Sequence, residues 1–270
     1  MGLRGKERTM VRPYLFIGLF VATNCTLALL YPFSWTRFLI FVALYGLGTG
    51  IMLYLLFNPT NDWLVTNRSH VESATEVALT FDDGPDPVDT PRLLDLLRQK
   101  GIKATFFVVG RRADEHPEIV RRAWEEGHLI ANHTWSHQPL FCFLPPWRLR
   151  QEIERGTESI RRACGRRPRY FRSPVGLRHP FLRPYLEQAG LTFVSWRLRS
   201  RDTHIRNAQR LAERIVNNAH GGDIILLHDH RPDGARAMLE ALPGVIDKLR
   251  ARGFEFVLAG SRGEAECEQR

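Results

Sequence analysis

Cysteine is scarce in this chain of 270 residues, and the few cysteines follow no pattern. None forms a Cys-x-x-Cys pair, and no regular spacing connects Cys25, Cys142, Cys164 and Cys267. The sequence therefore indicates neither a disulfide framework nor a sulfur-ligated zinc site, and it leaves the redox compartment open. Internal repeats and low-complexity tracts are also missing.

A nucleic-acid-binding motif is absent too, although the chain is basic, with 38 Lys plus Arg against 29 Asp plus Glu. A basic balance permits attraction to nucleic acid, anionic lipid or a phosphorylated substrate. Because no basic-aromatic motif accompanies the charge, we expect no nucleic-acid partner. No feature indicates an obligate protein partner.

Charge is almost absent from two N-terminal stretches, residues 14–30 and 38–57. The second is long enough to cross a hydrocarbon core of about 30 Å. We predict that residues 1–58 form a transmembrane helical hairpin, bent at 31–37. A cleaved signal peptide is the alternative for the first stretch, because basic residues precede it. Neither stretch has a polar face, which disfavours a buried hairpin in a soluble protein.

The predicted location is a bacterial-type cytoplasmic membrane, with membrane lipid as a partner. The basic residues Arg4, Lys6, Arg8 and Arg12 favour a cytoplasmic N-terminus. Two crossings would return the rest of the chain to the cytoplasm, whereas one crossing would place it outside. The sequence leaves the side open.

The remaining chain is predicted to hold a polar linker at 59–75, a folded domain at 76–260 and a charged tail at 261–270. Short apolar runs alternate with amphipathic stretches across the domain. The runs are 77–81, 105–109, 129–131, 170–171, 191–196, 223–227 and 254–258. This alternation predicts an α/β fold with a parallel sheet, either open or closed into a barrel.

Carboxylates and imidazoles follow the first and third runs. Asp82 and Asp83 close the first run, and His133 and His137 follow the third with three residues between them. Asp83 and the two histidines make a two-His, one-carboxylate metal set, which leaves Asp82 free to act as a base. Alone, the aspartates could form only a turn and each histidine could be a core residue.

Two further motifs follow in order, Arg172-Ser173-Pro174-Val175-Gly176 and Leu226-Leu227-His228-Asp229. With the first two, this ordered set resembles the polysaccharide deacetylase family, the chitooligosaccharide deacetylase homology domain also called carbohydrate esterase family 4. The resemblance covers roughly residues 76–258. It implies a distorted (β/α)7 barrel, whose strand ends would bring the motifs to one face.

The resemblance also implies roles for single residues. Arg172 would hold the catalytic aspartate, His228 would be the general acid, and Leu226 would line the pocket for the acetyl methyl. Asp202 would orient His228, but its motif departs from the family's acid-x-x-acid-Trp pattern. Arg199 and Thr203 stand at the first acid and at the Trp.

Two other residues are candidates for substrate contact. The loop at Val175 could present a backbone N–H to a developing oxyanion. Trp135 could stack on a sugar face, although a Trp beside a strand is more often core. His230 and Asp229 receive no role.

The predicted function is hydrolytic removal of N-acetyl groups from a GlcNAc-containing glycan: a polysaccharide, peptidoglycan or a lipid-linked sugar. The cofactor is a divalent metal, zinc first and cobalt as an alternative. An O-acetyl esterase on the same fold is one alternative, because only the leaving group differs. A catalytically weakened, membrane-anchored glycan-binding protein is the other, suggested by Arg199 and Thr203.

Overall fold

The computed structural model describes residues 18–19, 21–23, 26, 34–58, 61–231 and 235–260. Eight α-helices lie between residues 35 and 251 of the described chain: α1 Trp35–Phe57, α2 Asp89–Lys100, α3 Gly110–Glu115, α4 Pro117–Glu125, α5 Pro146–Cys164, α6 Leu182–Ala189, α7 Ala208–Asn218 and α8 Arg236–Ala251. Its strands are β1 Asn67–Arg68, β2 Glu76–Asp82, β3 Thr105–Val108, β4 Leu129–Asn132, β5 Tyr170–Phe171, β6 Thr192–Val194, β7 Leu198–Arg199, β8 Ile224–His228 and β9 Glu255–Phe256.

The strands form one parallel sheet in the order β1-β6-β5-β4-β3-β2-β8-β7, and β9 pairs with β2. Each of the seven predicted apolar runs overlaps one strand, so the parallel α/β prediction is confirmed. β1 and β7 were not predicted, because two-residue strands carry no periodicity.

The sheet curls because one short stretch of chain borders both of its sides. β6 pairs with β5, and β7 pairs with β8 at the other end of the path, although only residues 195–197 separate β6 from β7. Within that stretch, Arg197 N donates to Ile224 O at 3.2 Å. The result is a curled parallel sheet with an interior.

Side chains of β2 alternate between that interior and the surrounding helices, as period-two geometry requires. Leu79 and Phe81 pack in the large core with the helices, whereas Ala78 packs in the interior with Phe107 and Trp196. Both faces of the strand are buried, which explains its continuous apolar run. The same alternation sends Asp82 into the interior.

Residues 61–75 are packed more closely than a polar linker would be. Leu64, Val65 and Val71 are buried, β1 pairs with β6, and His70 bridges to Asp223. The predicted tail, 261–270, lies outside the described residues.

α1 corresponds to the second predicted membrane stretch. In the part of the chain that the structure describes, Phe38–Phe57 is the helix whose length and apolar composition would let it cross a membrane, with a mean hydropathy of 2.1. Most of its side chains are exposed. The other half of the predicted hairpin, 14–30, lies mostly outside the described residues. Of the two predicted membrane helices, the structure therefore describes one long apolar helix, which corresponds to the second.

The end of α1 contacts the α/β domain through one buried arginine. Leu56 O accepts a hydrogen bond from Arg178 N at 3.2 Å, and Asn58 O accepts one from the Arg178 guanidinium. Arg178 is fully buried, with its guanidinium over the Phe193 ring at 5.2 Å.

Candidate functional site

The histidine loop follows β4 and is fixed by helix α5. Asn132 Oδ1 accepts a hydrogen bond from Thr134 N at 2.7 Å, and Glu152 binds both the backbone N and the hydroxyl of Ser136 at 2.8 Å. Gly156 lets the loop approach the helix, because a Cβ there would lie 2.6 Å from Asn132 Oδ1. These contacts fix the backbone that carries His133 and His137.

Three candidate metal ligands converge next to this loop. Asp83 Oδ1 lies 3.0 Å from His137 Nε2 and 3.4 Å from His133 Nε2. One donor atom from each residue lies within 4.8 Å of the others. His133 Nδ1 lies 2.7 Å from Arg172 O, so its Nδ1–H can donate to that carbonyl and direct Nε2 toward the cluster.

The charge state of Asp83 suits a cation. Burial raises its pKa, but hydrogen bonds from His133 and His137 and their positive charge outweigh burial, so the pKa lies well below its ordinary value. The carboxylate is therefore ionised at neutral pH. Two imidazoles and one carboxylate are donors that fit zinc or a similar divalent ion, with coordination positions left for water.

Asp82 lies beside this cluster, in a buried pair with Arg172. Asp82 Oδ1 accepts a hydrogen bond from Arg172 Nη1 at 2.6 Å, while Oδ2 lies 3.8 Å from His133 Nε2. Arg172 is fully buried and also donates to Thr80 Oγ1, Val194 O and Ser195 O. One carboxylate oxygen is thereby held, and the other is directed toward the donor cluster.

His228 and Asp202 form a second pair on the neighbouring strand β8 and the loop after β7. Asp82 and His228 are partners in the register of β2 and β8, which places their side chains at the same level of the sheet. His228 Nδ1 lies 2.9 Å from Asp202 Oδ1, and the His228 backbone N donates to Asp202 Oδ2 at 2.8 Å. The motif around Asp202 departs from the family's pattern, yet its carboxylate lies in contact with the His228 imidazole.

This pair changes the proton affinity of the imidazole. Burial lowers the pKa of His228, but the hydrogen bond and charge of Asp202, with the charges of Asp83 and Asp82, outweigh burial and raise the pKa to about 9. At neutral pH the imidazole is protonated, as a proton donor must be.

The three candidates for substrate contact have different surroundings. Val175 is exposed in the turn Pro174–Gly176 and has φ 58°, a left-handed conformation that a β-branched residue rarely adopts. Leu226 is buried in the sheet interior. The Trp135 ring lies under the Arg155 guanidinium at 3.3 Å, its Nε1 donates to Asp114, and it is not among the described residues lining the cleft. The structure therefore does not bring Trp135 to the cleft.

Two residues that were given no role lie close to the site. His230 lines the cleft, and its Nδ1 lies 2.8 Å from Asp86 Oδ2. Asp229 accepts a hydrogen bond from Thr90 Oγ1 at 2.6 Å and lies against Gly84, and burial raises its pKa to about 7. The sequence places Asp229 and His230 directly after His228, which is the one feature that could have indicated their proximity to the site. That feature is weak, because neighbouring residues in a loop can direct their side chains in different directions.

An arginine-paired carboxylate and a carboxylate-paired imidazole beside a two-His, one-carboxylate cluster, at the carboxyl ends of parallel strands, are typical of the hydrolase class of protein. The comparisons with known proteins narrow this class. The family model described as polysaccharide deacetylase matches residues 70–194. The chain is 33% identical over 195 residues to a peptidoglycan-N-acetylglucosamine deacetylase of Bacillus cereus, covering 72% of this chain and 70% of the relative.

A chitooligosaccharide deacetylase of Bradyrhizobium sp. is 36% identical over 201 residues, covering 70% of this chain and 91% of the relative. The crystal structure of the Bc1960 peptidoglycan N-acetylglucosamine deacetylase superposes with a TM-score of 0.67 at 33% identity, covering 71% of this chain and 89% of that one. The chain therefore belongs to the polysaccharide deacetylase family and is a hydrolase that acts on N-acetyl amide bonds. Its curled sheet corresponds to the family's (β/α)7 barrel.

Proposed function

We propose that this protein is a metal-dependent, membrane-anchored deacetylase that removes N-acetyl groups from N-acetylglucosamine units of a glycan. The donor cluster of Asp83, His133 and His137, with Asp82 and His228 close to it, is the observation that supports this proposal most directly. Relatives whose names specify peptidoglycan or chitooligosaccharide deacetylation support the choice of substrate.

In this proposal Asp83, His133 and His137 would hold a divalent ion, which would supply Lewis acidity for attack on the acetamide carbonyl. Zinc is the first choice and cobalt the alternative. Asp82 accepts a proton from the attacking water, and Arg172 holds its carboxylate in one rotamer. The backbone N–H of Val175 donates to the developing oxyanion, and Leu226 borders the acetyl methyl.

His228 then donates its proton to the departing nitrogen, with Asp202 fixing the imidazole. The C–N bond breaks, acetate leaves and the sugar keeps a free amine. General acid and base groups of this kind contribute about 10²- to 10⁴-fold each to the rate.

Acetate release from N-acetylated oligosaccharides, measured with the protein loaded with zinc or cobalt, tests the proposal. A chelator should abolish the release. Asp82→Asn and His228→Ala should each lose most of the turnover while binding the metal normally, whereas His133→Ala should bind well below one ion per chain. Near-normal turnover in either of the first two variants would remove that residue from the mechanism.

The two alternatives are separated by the same assay. An O-acetyl esterase would release acetate from an acetylated xylan but not from an N-acetylated oligosaccharide. A glycan-binding protein would release acetate from neither. The Asp202–His228 contact, made despite Arg199 and Thr203 at the altered motif, favours an active enzyme over the binding protein.

We assign the membrane attachment to α1. Its uncharged length matches a bilayer core of about 30 Å, and few of its side chains are buried. Membrane lipid is thus a partner, and the side of the membrane on which the site lies is left to a reporter fusion at the C-terminus.

A further inference from the structure

The cleft over the candidate metal ligands is strongly basic. It encloses about 510 Å³, within the range of roughly 300–1,000 Å³ typical of ligand sites, and Asp83 and His137 lie in its wall. Four guanidinium groups line it, those of Arg111, Arg112, Arg206 and Arg231. Asp83 is the one carboxylate among the described residues of this lining, and it already faces two imidazoles.

These arginines come from separate parts of the fold. Arg111 and Arg112 lie at the start of α3, after β3, whereas Arg206 follows β7 and Arg231 follows β8. None of these positions belongs to the four motifs that carry the proposed chemistry. The positive charge therefore reaches the cleft from several sides, and a bound divalent ion would add to it.

Two of the arginines are held in place by hydrogen bonds. Arg112 Nη2 lies 2.6 Å from His230 Nε2, and His230 Nδ1 lies 2.8 Å from Asp86 Oδ2. Arg231 donates to Asp202 O and to Thr203 O. Fixed guanidinium groups bind anions at a smaller entropic cost than mobile ones.

Carboxylates of the described residues compensate part of this charge: Asp86 lies behind the His230 that contacts Arg112, and Asp202 acts on Arg231. Glu115 lies 3.9 Å from Arg111, and both side chains are more than half exposed, so solvent screens the pair. A cleft of one sign with walls of low dielectric concentrates ligands of the opposite charge. A neutral chitin-like chain would gain nothing from such a cleft.

We propose that the substrate is an anionic glycan, in which a phosphoryl or carboxylate group lies within about one sugar of the N-acetyl group to be removed. This inference rests on the proposed deacetylase function and specifies its substrate. Guanidinium groups pair with both anions through two parallel hydrogen bonds. The phosphoryl group could belong to a sugar phosphate, and the carboxylate to an acidic neighbouring sugar.

The test compares substrates on the zinc-loaded full-length protein. Acetate release is measured with neutral N,N′-diacetylchitobiose, with N-acetylglucosamine 1-phosphate and with N-acetylmuramic acid. We expect a lower KM for at least one anionic substrate than for the neutral one, and this advantage should shrink as salt rises above 0.1 M, where the Debye length is about 10 Å. The substrate with the lower KM identifies the source of the charge.

Variants then assign the effect to the cleft. Arg111→Gln and Arg206→Gln should each raise the KM for the anionic substrate by about tenfold to a hundredfold, the range for a charge-assisted hydrogen bond, with kcat and the neutral KM unchanged. Arg236→Gln, on α8 with 88% of its side chain exposed, is the matched control and should change neither.

Equal KM values for neutral and anionic substrates, unaffected by salt, would overturn the inference while leaving the deacetylase proposal intact. A rise in KM that was the same for both substrates would also overturn it, since charge recognition would then play no part. If none of the substrates released acetate, the proposed deacetylase function would be wrong. The binding affinity of the zinc-loaded protein for the three sugars would then test the anionic preference on its own, and equal affinities would contradict it.

Discussion

The pairing of His228 with Asp202 predicts a particular pH dependence. The raised pKa, about 9, keeps the imidazole protonated, so kcat/KM should hold through neutral pH and fall as pH passes about 9. Asp202→Asn removes the charge that raises the pKa, so the alkaline limb should move toward the ordinary value of about 6.5. Asp247→Asn, an exposed aspartate on α8, is the control. An unmoved alkaline limb in Asp202→Asn would contradict the pairing.

The conformation of Val175 predicts a gain in stability from a substitution at the site. A left-handed residue other than glycine costs about 1–2 kcal/mol, and Asn tolerates this conformation better than Val. Val175→Asn should therefore raise the free energy of unfolding by about 1 kcal/mol, with acetate release retained because the backbone N–H is unchanged.

Leu140→Asn is the matched control, because Leu140 is similarly exposed but has φ −92°. Denaturant unfolding of both variants gives the comparison. A loss of stability in Val175→Asn would mean that the left-handed conformation is not the source of the strain.

At single residues, the sequence predicted which side chains come together better than it predicted their backbone conformations. The predicted convergence of Asp83, His133 and His137 agrees with the structure, because parallel strands bring their carboxyl ends to one face. Asp83, His137 and Val175 all have positive φ, which no feature of their side chains indicates. The basic lining also escaped prediction, because its arginines lie outside the motifs.

At the level of elements, Arg172 holds strands together as well as the Asp82 carboxylate. Its guanidinium joins the end of β5 to Thr80 and Asp82 of β2 and to Val194 of β6. Arg172→Met should lower the free energy of unfolding by about 3–5 kcal/mol, because it leaves the buried Asp82 carboxylate without its partner.

The double variant Arg172→Met/Asp82→Asn separates the two causes. Removing the orphaned charge should restore part of the lost stability, while acetate release should stay absent. Thermal and denaturant unfolding of the single and double variants provide the measurement. Equal losses in both would show that the carboxylate is not the reason for the instability.

Strand positions were predictable because both faces of the sheet are buried, which gives continuous apolar runs such as that of β2. The short β1 and β7 were not predictable, since pairing with β6 and β8 alone defines them. Residues 61–75 read as a polar linker because their buried members, Leu64, Val65 and Val71, are isolated among polar neighbours.

For the whole molecule, the proposal of membrane attachment predicts where the protein is recovered. The full chain should sediment with membranes and need detergent for extraction, whereas a chain starting at Asn61 should be recovered without detergent. Recovery of the intact full chain in the soluble fraction, without detergent, would contradict the membrane assignment. The shortened chain should also be less stable, because Arg178 loses its acceptors on Leu56 and Asn58.

The contact between Arg178 and the end of α1 also limits how far the active site can travel. If residues 59–75 were a flexible linker, their end-to-end distance would allow a domain to lie roughly 20–25 Å from the helix. Here Arg178 is hydrogen-bonded to the last turn of α1, and the chain is packed against the domain again at Leu64. The segment between them is therefore too short to let the domain move far from the helix. With the proposed membrane attachment through α1, the site would reach only glycans close to the bilayer, which suits newly made chains better than distant, finished polymer.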